Sequence, residues 1–150
     1  MVNTNEIPVD ISPTCVESPE AIVDAIYELI SFGPGGDPAW RAFRGLFAEQ
    51  CVLALRLFPG DPAISILSLD DYVRKQVRED MKEEGYAERP LERSFSRTGD
   101  IASATVRFEM LFGAGETYLG LDQFQMVRRE GRWWIVAVTG EIKPGDATLA

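Results

Sequence analysis

Residues 104–138 decide the fold, and they read ATVRFEMLFGAGETYLGLDQFQMVRREGRWWIVAV. Apolar and polar side chains alternate along this stretch, which is the pattern of half-buried β-strands. Turn-forming residues interrupt the alternation at 113–116 and at Glu130-Gly131. An earlier alternating run, ERSFSR, is separated from it by Thr98-Gly99-Asp100, a hairpin signal. The sequence therefore predicts an antiparallel meander of about four strands.

The first half of the chain carries apolar residues at helical spacing instead. Capping residues, prolines and glycines predict helices over residues 18–33, 37–50 and 68–85. The continuous apolar run at residues 51–58 predicts a buried strand. Helices that are segregated from an antiparallel sheet indicate an α+β domain with one sheet face covered.

The composition excludes several functions. The 150 residues carry a net charge of −9, which disfavours nucleic acid and anionic membranes as partners. The chain has no histidine, so Ser-His-Asp catalysis, Cys-His catalysis and histidine-ligated metals are excluded. No cofactor or metal is predicted. Cys15 and Cys51 are too few for a disulfide framework and, without a signal peptide, predict a cytoplasmic protein with free thiols.

Asp122 is the one residue that breaks the alternation. It lies two residues before Phe124, so it falls on the apolar, inward face of its strand. Burial there would raise its pKa and suit it to donate a hydrogen bond or a proton. A second interpretation stays open, in which Asp122 caps a buried N–H or contacts an Arg or Tyr of a helix.

The same alternation predicts the walls of a pocket around Asp122. Trp133 and Trp134 are adjacent and must point to opposite faces, and Trp134 shares the parity of the inward residues. The other tryptophan would then cover the outer face as a subunit contact. The predicted ligand-binding residues are Tyr27 and Trp40 on the helices and Val106, Phe108, Met110, Phe124, Met126 and Trp134 on the strands.

Arg107 and Glu109 share the opposite, polar face. One interpretation is a cross-strand ladder with Gln123 and Gln125 at a solvated or dimer face. The other is an Arg-x-acid functional pair.

The order of these elements over residues 18–141 resembles the nuclear transport factor 2-like superfamily, and residues 104–138 resemble its strand-hairpin-strand core. The resemblance implies a curved sheet wrapped around three helices, a conical pocket and homodimers. It also places the domain at residues 18–142, between an N-terminal arm (1–17) and a C-terminal tail (143–150).

Within that superfamily, Leu121-Asp122-Gln123-Phe124 is similar to the segment that carries the oxyanion-hole aspartic acid of ketosteroid isomerase. Leu55 stands where that enzyme has its general base, and its catalytic tyrosine would fall near Ile26, one residue before Tyr27. Arg107-Phe108-Glu109 looks like the Arg-x-Asp pair of limonene epoxide hydrolase, whose third member would fall near Val138.

Two functions are therefore expected. The first is a small-molecule pocket protein, an isomerase, cyclase or dehydratase acting on an apolar carbonyl-bearing ligand, with Asp122 as acid or oxyanion donor. The second is a non-catalytic homodimeric binding or accessory domain that works through the outer face of its sheet.

Overall fold

A computed structural model describes residues 12–143. Most of the predicted arm and nearly all of the predicted tail, residues 1–11 and 144–150, lie outside the described residues. At the start of the described chain, Pro13–Val16 forms a 3-10 turn and Val16 is buried. Among residues 12–143, no helix combines the length and the apolar character that a membrane crossing requires.

The described residues form four α-helices, two of which begin at a capping serine. Ser18 caps the first helix by accepting a hydrogen bond from the backbone N–H of Ala21, and Ser68 caps the third by accepting one from Asp71. The helices are α1 (Pro19–Ile30), α2 (Trp40–Arg44), α3 (Leu69–Lys75) and α4 (Glu79–Glu84).

Six strands form one mixed sheet in the order β2-β1-β6-β5-β4-β3. The predicted meander is present as β3 to β6, whose neighbours pair antiparallel. Strand β1 pairs parallel with β6 and antiparallel with the short edge strand β2. The strands are β1 (Phe47–Leu55), β2 (Ser65–Leu67), β3 (Tyr86–Thr98), β4 (Ile101–Phe112), β5 (Thr117–Arg129) and β6 (Arg132–Lys143).

Helix α1 covers the inward face of the sheet and contacts β3, β4 and β6. Its buried residues, among them Ile22, Val23 and Ile30, meet the alternate buried residues of β4 and β5. The end of α1 is tied to the start of β3 by reciprocal backbone hydrogen bonds between Phe32 and Tyr86, of 2.9 and 3.0 Å. This attachment fixes the first residues of β3 beside α1.

Element boundaries differ from the prediction in three places. The buried strand predicted at residues 51–58 is strand β1, which runs from Phe47 to Leu55 and is only partly buried, since Val52 is 41% exposed. Helix α2 ends at Arg44 rather than near Gln50, because Gly45 is a weak helix former and the chain continues into β1 to pair with β6. The predicted helix over 68–85 is divided into α3 and α4, because Arg78 adopts an extended conformation. The division leaves Gln76 at the end of α3 with its side chain buried.

Candidate functional site

Asp122 lies on the inward face of β5, as the alternation predicts, and is 7% exposed. The hydroxyl of Tyr27 on α1 donates a hydrogen bond to its Oδ2 atom, over 2.8 Å. Both interpretations of Asp122 therefore meet in one arrangement: a carboxyl among apolar residues that also contacts a helix tyrosine. Its strand neighbours across the sheet are Val106 and Gly140.

A second carboxyl, Glu88 on β3, reaches the same region and was not predicted. The hydroxyl of Tyr86 donates a hydrogen bond to its Oε2 atom over 2.5 Å. Its backbone N–H donates to the hydroxyl of Ser31, which in turn donates to the carbonyl of Tyr27. The end of α1 thus positions both Tyr27 and Glu88.

Both carboxyls are costly to ionise, and the charge of Glu88 adds to the cost for Asp122. Burial, and then the charge of Glu88, hold the pKa of Asp122 well above its usual value, although the Tyr27 hydrogen bond acts in the opposite direction. Burial raises the pKa of Glu88 to about 7, against a lowering by the Tyr86 hydroxyl. Burial also raises the pKa values of Tyr27, Tyr72 and Tyr86 well above 10.0, so all three stay hydroxyl donors.

Two adjoining cavities surround this cluster and share four wall residues: Leu55, Tyr72, Glu88 and Asp122. The first cavity, of about 40 Å³, has polar walls that include Gln76 and an Arg56–Glu141 ion pair. The second, of about 20 Å³, has apolar walls that include Ile26, Ile30 and Phe43. A cavity of roughly 10–15 Å³ holds one water molecule, so these two cavities accept small chemical groups only.

Glycine makes room for Asp122. Its Oδ1 atom lies 2.5 Å from the position that a Cβ on Gly140 would take, and Gly140 lines the first cavity. Oδ1 therefore lies beside a wall residue of the first cavity, while Oδ2 is held by Tyr27, which lines the second.

The structure brings together only some of the predicted pocket residues. Tyr27 and Phe124 line the second cavity, and Phe108 and Met110 line the first. The other four do not line either cavity: Val106 and Met126 are buried elsewhere on the inward face, Trp40 packs edge-on against Phe43 and Tyr72, and Trp134 lies on the outer face.

The assignment of Trp134 to the pocket is wrong, and a β-bulge is the reason. Between β5 and β6 the register shifts, since Gln125 pairs with Ala137 while Met126 pairs with Ile135. Val136 is thus an extra residue, and it reverses the alternation of everything before it in β6. Trp133 joins the core with Ile135, whereas Trp134 faces outward with Arg132 stacked on its ring at 3.6 Å.

Arg107 and Glu109 point away from the cavities, which favours the polar-ladder interpretation, but their partners are on β3. Arg107 pairs with Glu92 at 3.2 Å, and Glu109 pairs with Arg89 at 2.9 Å. The predicted partner Gln123 lies opposite Thr105 on β4 and Thr139 on β6, whereas Arg107 lies opposite Leu121.

The part of the chain that the structure describes contains no group of side chains suited to bind a metal ion. Within residues 12–143, no three Cys, Asp or Glu side chains are grouped closely enough to hold an ion. The chemistry that the cluster can perform is proton transfer and hydrogen bonding, through two carboxyls with raised pKa values and three tyrosine hydroxyls.

Comparison with known proteins gives the fold class. No protein-family model matches the sequence. No curated protein matches it significantly. Solved structures do match. An NTF2-like protein with a cystatin-like fold from Novosphingobium aromaticivorans is 17% identical, with a TM-score of 0.57 and 72% of this chain and 71% of that chain covered.

Two further structures extend the similarity over more of the chain. The yeast Ubp3-associated protein Bre5 is 14% identical, with a TM-score of 0.63 and coverage of 84% and 94%. An NTF2-like protein of unknown function from Silicibacter pomeroyi is 19% identical, with a TM-score of 0.55 and coverage of 83% and 92%.

The chain is therefore an α+β domain whose sheet and helices enclose two small cavities lined in part by Tyr72, Glu88 and Asp122. Its fold is the nuclear transport factor 2-like (NTF2-like), or cystatin-like, fold, so the predicted fold class and resemblance are confirmed at the level of the fold.

Proposed function

We propose that this protein catalyses proton transfer on a small carbonyl compound, of the kind that isomerases, cyclases and dehydratases perform. The observation that carries the proposal is the buried Asp122 carboxyl, bonded by the Tyr27 hydroxyl at 2.8 Å inside a cavity that it shares with Glu88. The free thiols Cys15 and Cys51 are compatible with action in the cytoplasm.

Asp122 is the acid in this proposal. A carboxyl that stays protonated can donate a hydrogen bond to a carbonyl oxygen as negative charge develops on it. The Oδ1 atom lies beside Gly140 of the first cavity's wall and is the oxygen left to donate, because Oδ2 is already occupied by Tyr27. The substrate carbonyl would therefore enter the first cavity and its apolar part the second.

Glu88 is the base. With a pKa of about 7, it is present in both protonation states at neutral pH, which suits a group that removes a proton and returns it. Leu55 lines both cavities and cannot take a proton. Glu88 on β3 thus supplies, from another strand, the base that the ketosteroid isomerase comparison lacks at Leu55.

Exchange of deuterium into acetone and butanone next to their carbonyl group, followed by proton NMR in D₂O, tests the proposal with ketones small enough for these cavities. We expect the wild-type chain to accelerate exchange of at least one ketone. Asp122→Asn should reduce the rate by about 10²-fold or more, and Glu88→Gln by a similar factor. The matched control is Glu83→Gln, which removes an exposed carboxylate and should leave the rate unchanged.

Equal exchange in all four proteins, or none with any ketone, would contradict the assignment of this site.

The second candidate is a homodimeric binding or accessory domain. A groove of about 370 Å³ on the outer face, lined in part by Glu49, Trp134 and Val136, supports it, as does similarity to the yeast protein Bre5, itself named for its association with Ubp3. A dimer in size-exclusion chromatography that dissociates on Glu109→Lys, in a chain without ketone exchange, would favour this function.

A further inference from the structure

Two polar side chains in the first cavity have no hydrogen-bond partner. Gln76 is 4% exposed and Tyr72 is 7% exposed, and both line the cavity. Neither the Gln76 amide nor the Tyr72 hydroxyl forms a side-chain hydrogen bond with any residue of 12–143. Polar groups inside a protein are normally paired with other protein groups or with water. The Gln76 amide and the Tyr72 hydroxyl are therefore open to hydrogen-bond a molecule that enters the cavity.

The charge of the cavity restricts what can enter. Among the described residues that line it, Arg56 is the one cation, and Glu141 already holds it through Nε at 2.6 Å and Nη2 at 3.3 Å. Glu88 and Asp122 form no ion pair within the described chain. Carboxylates and phosphates would be repelled by Glu88 in its ionised form, whereas a cation would be attracted.

Aromatic rings complete the surroundings of a cation. Tyr72 stacks on Phe43 with ring centroids 5.7 Å apart, and Phe108 forms another part of the first cavity's wall. Aromatic faces attract ammonium groups electrostatically, most strongly where water is excluded. The free oxygens of Glu88, Gln76 and Tyr72 are three acceptors, which matches the three N–H donors of a primary ammonium group.

We propose that the first cavity binds a primary alkylammonium ion, held by the Glu88 carboxylate with Gln76 and Tyr72. This inference goes beyond the proposed function, because cation binding requires no turnover. It shares Glu88 with that function, so an ammonium ion in the cavity would occupy the base and inhibit proton transfer. The two-heavy-atom methylammonium ion suits a volume of about 40 Å³.

Binding should depend on pH through the protonation of Glu88. With its pKa at about 7, Glu88 is mostly charged at pH 8 and mostly neutral at pH 6. An alkylammonium ion stays charged over this range, since amines of the lysine type titrate near 10.4. Affinity should therefore fall about tenfold from pH 8 to pH 6. The other titratable or charged groups around the cavities are Tyr27, Arg56, Tyr72, Tyr86, Asp122 and Glu141.

NMR titration of the Gln76 side-chain amide with methylammonium chloride tests the proposal, with acetamide and acetate as ligands of similar size. We expect saturable shifts with methylammonium at pH 8, with a Kd of about 10 mM, the limit for so small a ligand. Acetate should give no saturable shift, and acetamide should bind at least about tenfold more weakly.

Two matched variants distinguish the effect of the Glu88 carboxylate on binding from the effect of the protein's overall negative charge. Glu88→Gln keeps the shape of the side chain and should weaken methylammonium binding at least about tenfold, whereas Glu83→Gln removes the same charge from an exposed site and should not change it. The backbone amide spectrum of each variant establishes that it is folded.

Equal binding to both variants, or preference for acetamide, would overturn the proposal. Ketone exchange without methylammonium binding would overturn this inference alone, and binding without exchange would overturn the proposed function alone.

Discussion

The Glu88→Gln variant is expected to gain stability over the wild-type chain as pH rises, by about 2 to 3 kcal/mol between pH 5 and pH 8. The reason is the desolvation of the Glu88 carboxyl, which raises its pKa from 4.5 to about 7 although the residue as a whole is half-buried. Below the ordinary value the carboxyl is neutral in both states, and its contribution to stability is fully present. As pH rises through the folded value, the folded chain must hold a buried charge, so that contribution is lost. Glutamine carries no such charge.

Urea denaturation of both proteins at pH 5 and pH 8 measures this difference. Glu83→Gln is the control, and its stability should follow the wild-type pH dependence because Glu83 is exposed. A constant difference between Glu88→Gln and wild type across this range would show that Glu88 is solvated in the folded chain.

Replacement of Trp133 by alanine is expected to destabilise the fold by about 3–5 kcal/mol, the usual cost of deleting a large buried aromatic side chain. Trp133 is 1% exposed and belongs to the core between sheet and helices. Trp134 is also buried, at 5% exposed, but lies outside that core cluster. Trp134→Ala should therefore cost less, about 1–3 kcal/mol, from the lost stacking with Arg132 and the lost hydrogen bond to the Arg129 carbonyl.

Urea denaturation of the two alanine variants therefore reports on the bulge at Val136. Each variant is the control for the other, since they delete the same side chain from adjacent positions on opposite faces. A larger loss for Trp134→Ala would place Trp134 in the core and contradict the shifted register of β5 and β6.

Strict alternation made Asp122 predictable. The strand that carries it keeps period two without a bulge up to Gln125, so counting from Phe124 gave the correct face. Trp134 was misplaced because a bulge leaves no reliable mark on a sequence: Trp-Trp-Ile-Val-Ala-Val alternates equally poorly in either register. The parity of β6 depends on how Val136 fits against β5, which is a tertiary property.

Glu88 was missed for a different reason. Glu88 lies two residues before Pro90, and a proline within an alternating run of residues argues against a strand. Here β3 is the edge strand of the sheet, where the missing N–H of proline is tolerated, and the register shift between Pro90 and Glu92 absorbs the irregularity. In a strand that begins at Tyr86, Glu88 lies on the same face as that buried tyrosine. The sequence alone does not show that the strand begins there.

Asp122 is a desolvated carboxyl that shares a cavity with a second carboxyl, Glu88. NMR titration of the carboxyl carbons in wild type, with Asp122→Asn and Glu88→Gln to assign the two signals, measures the pKa of each. We expect Asp122 to titrate well above 3.8, Glu88 to titrate near 7, and Glu88→Gln to lower the pKa of Asp122. An Asp122 carboxyl that titrates at or below its ordinary value, unchanged by Glu88→Gln, would contradict this assignment of the site.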